Sequence, residues 1–374
     1  MPGHVTRGAN MRALPTDVFV AGREGYHTYR IPALLRVGRR ELLAVCEGRR
    51  DGSGDAGKID LVCKRSTDGG KTWGKLKVIH GERGRTTIGN PVPILARDGV
   101  LHLVCCRNNA SAVLHMRSTN GGRTWSRPRR IATARSLSRG FGFAVQRFGT
   151  GPCHGVQLAP NLVAVCGAGF SLHPAGGGRL IVPIWLRSNA SLYYRRSTCH
   201  AGILYSDDGG RTWSAGGSVG PGASEAVAAQ LPDGTLLLNC RPMGKPAGYR
   251  HLASSTDGGL TFTRRWIDRT LIDPNCQASM IATPAGKLVF CNPARRNRKV
   301  NYNALLRRRL TIRISPDGGR TWPHRRVIDP GPAGYCDLAC LAGGSIGILY
   351  ERGRWCYHER IAFTSVSLAR ASSP

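Results

Sequence analysis

The sequence predicts an all-β chain folded as a single six-bladed β-propeller. Three observations carry the prediction. An octapeptide recurs five times, every apolar run is short, and no amphipathic stretch reaches about 12 residues. Division of 374 residues among six units leaves about 62 per blade, a propeller-like spacing. Glycine fills 49 positions, about 13% against the usual ~7%, which supplies many turns. The glycines have no three-residue period, which excludes collagen. An apolar content of 41% is enough for a core and excludes wholesale disorder.

The octapeptide S-x-D-x-G-x-T-W begins at Ser66 and returns at Ser118, Ser206, Ser255 and Ser315. Asn120 replaces Asp in the second copy, and Phe262 replaces Trp in the fourth. The long interval between Ser118 and Ser206 has room for one unit whose turn lacks the signature. Each copy follows a strand-like run: Ile59–Cys63, Val113–His115, Gly202–Leu204, His251–Ala253 and Leu310–Ile314. The Ser and Asp side chains can bond nearby amides, the Gly-Gly pair supplies positive φ, and the aromatic folds back as an apolar plug. The remaining runs also read as strands: Leu42–Cys46, Leu101–Cys105, Leu162–Cys166, Leu180–Trp185, Leu236–Asn239, Lys287–Phe290 and Ser345–Tyr350. No segment has linker composition. The chain therefore reads as one domain over 1–374, with residues 1–17 an N-terminal extension and 371–374 a peripheral tail.

Lys plus Arg number 54 and Asp plus Glu 22, a net charge of +32, and only 8 of the cations are lysines. Such a surface suits nucleic acid, acidic glycans or an anionic membrane surface. The arginines are spread along the chain, and no nucleic-acid motif or aromatic platform accompanies them. An anionic small ligand is expected, and nucleic acid is not. The 13 cysteines sit mostly in apolar runs, such as Cys46 and Cys166, and read as small core residues. Cys105 and Cys106 would point to opposite faces of one strand. No Cys pair has zinc spacing, so free thiols in a reducing compartment are expected, with no metal or organic cofactor. Residues 1–17 lack a signal-peptide core, and no run spans a membrane. The chain reads as a soluble, cytoplasmic monomer, with secretion left open.

The octapeptides resemble the Asp boxes of sialidases, and Tyr29-Arg30-Ile31-Pro32 resembles the (F/Y)RIP signature that this family carries ahead of its first box. The resemblance runs from about Tyr26 to Glu351. It implies a six-bladed propeller that releases terminal α-linked sialic acid, with retention, from glycoproteins, gangliosides or oligosaccharides.

The family clamps the sugar carboxylate with three arginines, whose planar forks suit a carboxylate. Arg30, Arg241 and Arg307 match these, with Arg308 the alternative to Arg307. In Glu47-Gly48-Arg49-Arg50-Asp51-Gly52-Ser53-Gly54-Asp55, Asp55 matches the acid/base and Asp51 is the alternative, while Arg49 matches an arginine at the substrate rim. Tyr335 matches the family nucleophile, with Cys336 in place of the usual Ser, and Glu225 matches its base. A neutral phenol avoids the repulsion that a carboxylate nucleophile would meet at a carbon already bearing one. Glu351 matches the glutamate that orients the first arginine. Gly151–Leu158 and Asn90-Pro91 resemble segments near the site, without an assigned role. Trans-sialidase activity, or sialoglycan binding without catalysis, stays open beside hydrolysis.

Overall fold

The computed structural model describes residues 14–159, 178–188, 199–297 and 303–368. The strand expected at Leu162–Cys166, residues 1–13 of the extension and the tail at 371–374 lie outside these residues.

After β1 (Thr16–Val20), the chain runs as successive antiparallel meanders. The first sheet holds β2 (Thr28–Arg36), β3 (Leu42–Arg49), β4 (Ile59–Ser66) and β5 (Lys77–His80). The second holds β6 (Ile88–Leu95), β7 (Leu101–Arg107), β8 (Ala112–Ser118) and β9 (Arg129–Ala132). A one-off helix follows, α1 (Ala134–Phe141), with Thr133 as its capping residue and left-handed Gly142 closing it. The third sheet has β10 (Arg147–Thr150) and β11 (Val156–Gln157) both pairing β12 (Leu180–Arg187), then β13 (Cys199–Ser206) and β14 (Ser214–Val219). The fourth is β15 (Ala223–Gln230), β16 (Leu236–Pro242), β17 (Tyr249–Ser255) and β18 (Arg264–Ile272).

The last sheet has seven strands: β19 (Ser279–Ala282), β20 (Leu288–Pro293), β21 (Arg308–Ser315), β22 (His324–Cys340), β23 (Ser345–Arg352) and β24 (Arg360–Ser367), with β1 on the edge of β24. The arrangement is all-β and propeller-like. Where six separate blades were expected, there are four separate sheets and one seven-stranded sheet. The cause is β22. Its first part pairs β21 and its second pairs β23, so one unbroken strand serves both neighbours.

Strands at the centre of each sheet are covered on both faces, so they read as short apolar runs rather than alternating ones. All eight residues of β3 are buried. Adjacent sheets share cores: Val92 and Val104 of the second pack with Val182, Ile184 and Leu186 of the third. Cys105 and Cys106 lie in different core clusters, as opposite faces require. Among the described residues the cysteines are free thiols, with Cys356 exposed and Cys340 half-buried.

The octapeptide turns form as the sequence predicts. Gly70 N–H donates to Ser66 Oγ (2.8 Å), Thr72 N–H donates to Asp68 Oδ1 (3.0 Å), and Gly69 and Gly70 take φ of 80° and 92°. Trp73 packs edge-on against Phe363 of β24, 5.6 Å between ring centroids. Register places these turns away from the Arg49 end of the sheet. Leu42 pairs Ser66 at one end of β3–β4, and Arg49 pairs Ile59 at the other. At that other end, β2, β6, β15 and the second half of β22 each break register: at Ile31-Pro32, Asn90-Pro91, Ser224-Glu225 and Gly334-Tyr335. Such bulges re-aim side chains, and four here aim at one place.

Candidate active site

The bulged strand ends and their neighbours line a cleft of ≈ 490 Å³. Arg30, Arg49, Asp55, Glu225, Arg241, Arg307 and Tyr335 all border it. Glu351 lies beneath, fully buried. The eight residues singled out in the sequence are thus brought together. Of the two alternatives, Asp51 holds the Asp55 loop by accepting from Lys58 N–H (3.2 Å) and does not border the cleft. Arg308 starts β21 and does not border the cleft, whereas Arg307 borders it and is 3% exposed.

Glu225 and Tyr335 form a short contact in the cleft. The Tyr335 hydroxyl donates to Glu225 Oε1 at 2.5 Å, and Arg241 Nη1 donates to Glu225 Oε2 (2.7 Å) and to Tyr335 Oη (3.1 Å). Burial and the Glu225 charge raise the Tyr335 pKa well above that of an ordinary phenol, against the pull of Arg241 and Arg307. The phenol is therefore neutral in the free protein. The guanidinium carbons of Arg30 and Arg307 stand 5.2 Å and 5.4 Å from its ring centroid.

Each arginine is held from behind. Arg30 Nε donates to Glu351 Oε1 (2.6 Å), which also accepts from Ile31 N–H (3.0 Å), while Glu351 Oε2 accepts from Tyr335 N–H (3.0 Å). Burial opposes the Glu351 charge, but Arg30 outweighs it and lowers the pKa. One carboxylate thus registers both the first arginine and the tyrosine. Gly334 makes room for it, since a Cβ there would stand 2.2 Å from Glu351 Oε2. Arg241 Nε donates to Asn275 Oδ1 (2.7 Å), and Arg307 Nη2 donates to the Asn275 carbonyl (3.1 Å). Asp273 and Arg250, both fully buried and 3.1 Å apart, brace the Asn275 turn. Arg307 Nη1 also meets the Tyr357 hydroxyl (3.2 Å).

Asp55 stands at the mouth, 82% exposed, with Oδ1 2.8 Å from Arg49 Nη1. Partial desolvation would raise its pKa, but Arg49, Arg30 and Arg307 outweigh that and lower it. Arg49 is itself fixed by Glu47 Oε2 (2.6 Å), and Glu47 Oε1 accepts from Asn90 N–H (2.8 Å).

The sequence reading did not single out Glu47, Asn275, Tyr357 or His358. Only Glu47 left a usable trace, two residues before Arg49 and hence on the same strand face. His154, left without a role, does not border the cleft. Its Nδ1 lies 2.7 Å from Asp337 Oδ1 in the protein centre. Asp337 also accepts from Ser279 Oγ (2.8 Å) and Leu34 N–H (2.8 Å), so it ties three inner strands two residues beyond Tyr335. Among the described residues, no helix is long and apolar enough to cross a membrane.

This geometry suits an anionic sugar: a cluster of guanidiniums for a carboxylate, a buried Tyr bonded to a partly buried Glu, and a carboxyl group at the rim. Residues 40–348 match the BNR repeat-like domain. A sialidase of Micromonospora viridifaciens is 35% identical over 369 residues, covering 90% of this chain and 52% of that protein. The chain thus spans about half the length of that relative. An exo-alpha-sialidase of Arthroderma benhamiae is 31% identical over 340 residues, covering 83% of this chain and 72% of the relative. The solved Hadza microbial sialidase Hz136 superposes with a TM-score of 0.76 at 26% identity, covering 96% of this chain and 69% of the other. Fold, cleft and relatives agree: the chain belongs to the sialidase family of BNR-repeat proteins.

Proposed function

We propose that this protein is an exo-α-sialidase that hydrolyses terminal α-linked sialic acid from glycoconjugates with retention of configuration. The observation that carries the reading is the 2.5 Å contact between the Tyr335 hydroxyl and Glu225, with Arg241 on both. A protein that only binds the sugar needs the arginines but not this pair. We also count the seven-stranded sheet as two blades that share β22, which gives a six-bladed propeller. The residues assigned to the reaction meet within a single copy of the chain, and we read the catalytic unit as a monomer.

In this mechanism Arg30, Arg241 and Arg307 bind the substrate carboxylate, and Arg49 holds Asp55 at the rim. Glu225 takes the phenolic proton as the Tyr335 oxygen bonds to the anomeric carbon. The glycosidic bond breaks, and Asp55 delivers its proton to the leaving oxygen. Water then attacks the sialyl-tyrosine, Asp55 takes its proton, and the tyrosine oxygen leaves with the proton returned by Glu225. Two displacements at one carbon retain configuration. The Asp55 proton must be present when substrate binds, and the incoming carboxylate favours this by offsetting the arginines that depress its pKa.

The test is release of a fluorescent alcohol from its α-ketoside of N-acetylneuraminic acid, with the first-formed anomer read by NMR. Wild-type turnover with the α-anomer first, and loss of about 10²-fold or more in Tyr335→Phe, is expected. Turnover untouched by Tyr335→Phe would overturn the nucleophile. No turnover with sialic acid binding intact would replace hydrolysis by binding.

A further inference from the structure

The end of the second sheet that carries its octapeptide turn holds a second cleft, of ≈ 390 Å³. The β7–β8 turn containing Asn109 borders the catalytic cleft, while Ser118 pairs Leu101 at the opposite end, so the two clefts lie on opposite faces. Arg117, Arg127, Arg129 and Arg211 line it, with Ser126 and His115, and no carboxylate does. None of the four guanidiniums forms an ion pair with a described residue. Arg129 is fixed by donating from Nη2 to the Gly210 carbonyl (2.8 Å).

Two independent features sharpen the charge. The second octapeptide is the copy with Asn120 in place of Asp. Asn120 keeps the turn, with Oδ1 accepting from Thr124 N–H (3.0 Å) and Nδ2 donating to Thr124 Oγ1 (2.8 Å), but removes the negative charge that the other copies carry. The lining includes the buried His115, whose imidazole stacks on that of His102, 5.2 Å between ring centroids at 9°. Burial and the neighbouring arginines hold both neutral, with His115 pushed down to about 3. The cleft therefore gathers four guanidiniums with no carboxylate in its lining, and Asp208, in the turn that supplies Gly210 and Arg211, is committed to that turn by accepting from Ser206 Oγ (2.8 Å), Thr212 N–H (2.8 Å) and Thr212 Oγ1 (2.6 Å).

Planar guanidinium forks match tetrahedral oxyanions in geometry and charge. We propose that this cleft is a second anion site that binds sulfate or phosphate, free in solution or carried as a monoester on a glycan. It goes beyond the reaction proposed above and does not depend on it.

Trp213 provides a readout, since its ring stands edge-on to His115 (5.4 Å) and its indole N–H donates to Gly210 (3.2 Å). Tryptophan fluorescence is followed while inorganic sulfate or phosphate replaces chloride at constant ionic strength. The same titration is run with N-acetylglucosamine 6-sulfate and with unsulfated N-acetylglucosamine. A saturable response to the oxyanions is expected, weakened at least tenfold in Arg127→Glu/Arg211→Glu, with turnover in anion-free buffer unchanged. Tighter binding of the sulfated sugar than of free sulfate identifies an ester as the ligand, and equal binding identifies the free ion. A response that tracks ionic strength with chloride as effective as sulfate, or one unchanged in the double variant, overturns the proposal.

Discussion

Glu351→Gln isolates the group that registers two parts of the cleft. The carboxylate is fully buried and accepts three hydrogen bonds, from Arg30, Ile31 and Tyr335. Glutamine of the same shape must turn its NH₂ toward a donor. The less costly choice faces the Tyr335 amide alone, which leaves one buried N–H unpaired at about 1–3 kcal/mol. The Arg30 charge, 5% exposed, also loses its partner. Breaking a buried pair from one side costs about 3–5 kcal/mol, and the two contributions overlap, so a net loss of about 3–5 kcal/mol is expected. Arg30 also regains side-chain freedom, which binding must remove again at about 1–2 kcal/mol. That corresponds to a KM increase of roughly 5- to 30-fold. The assays are urea unfolding at pH 7 and KM for the fluorogenic sialoside. The pH sign is fixed by the lowered pKa of Glu351. Its contribution is complete above the unfolded glutamate pKa of about 4.3 and fades as pH falls through the lower folded value. The stability gap to the variant should thus be flat from about pH 5 to 7 and close at more acid pH. A variant within about 1 kcal/mol of wild type, with KM within about twofold, would refute the argument.

Three further outcomes follow from other features. His154→Ala removes the imidazole partner of the buried Asp337 carboxylate, which keeps its bonds from Ser279 and Leu34, and should cost about 1–3 kcal/mol, while His154→Asn keeps a donor in the Nδ1 position and should recover more than half in the same urea assay. Arg309 is exposed at a φ of 62°, so Arg309→Gly should stabilise by about 0.5–1 kcal/mol and Arg309→Ala should not, as read by thermal unfolding. Asp55, the proposed acid, has a lowered pKa, so its protonated fraction grows as pH falls. The kcat/KM should rise from pH 7 to 5, approaching tenfold per unit, and Asp55→Asn should abolish the slope; a flat wild-type profile would remove Asp55 from that role.

What the sequence disclosed depended on the range of the bonds involved. The octapeptide turns were legible because their bonds close within eight residues, as from Ser66 to Gly70 and Asp68 to Thr72. Glu225 and Tyr335 stand 110 residues apart, and no periodicity links them; only family resemblance paired them. Asn275 escaped notice because half its contribution is a backbone carbonyl offered to Arg307, presented by a turn with φ of 66°. The same limit applies to Asp273 and Arg250, whose ion pair reads in sequence as two surface charges. Arg307 separates from Arg308 through the short 3₁₀ turn Ala304–Leu306, which no spacing argument resolves. Pro330-Gly331-Pro332 reads as a break, yet the chain stays extended there and fuses two expected blades into one sheet. Helix α1 was missed because its eight residues bury only Leu137.

The bond from Arg30 to Glu351 joins positions 321 residues apart. Closing so long a loop costs about 5 kcal/mol in the logarithmic chain-entropy term alone, and local contacts return none of it. The first sheet and the second half of β22 must meet before Arg30, Glu351 and Tyr335 share one carboxylate. During refolding, Trp322 can pack on Phe290 of its own sheet while the first and last sheets are still apart, whereas Trp73 meets Phe363 only when they join. Fluorescence should therefore recover ahead of turnover, and the interval between the two is the lifetime of an open ring. The proposed sialidase activity then becomes a clock for the last event of folding, and a substitution that slows only closure would lengthen the lag without changing the final yield.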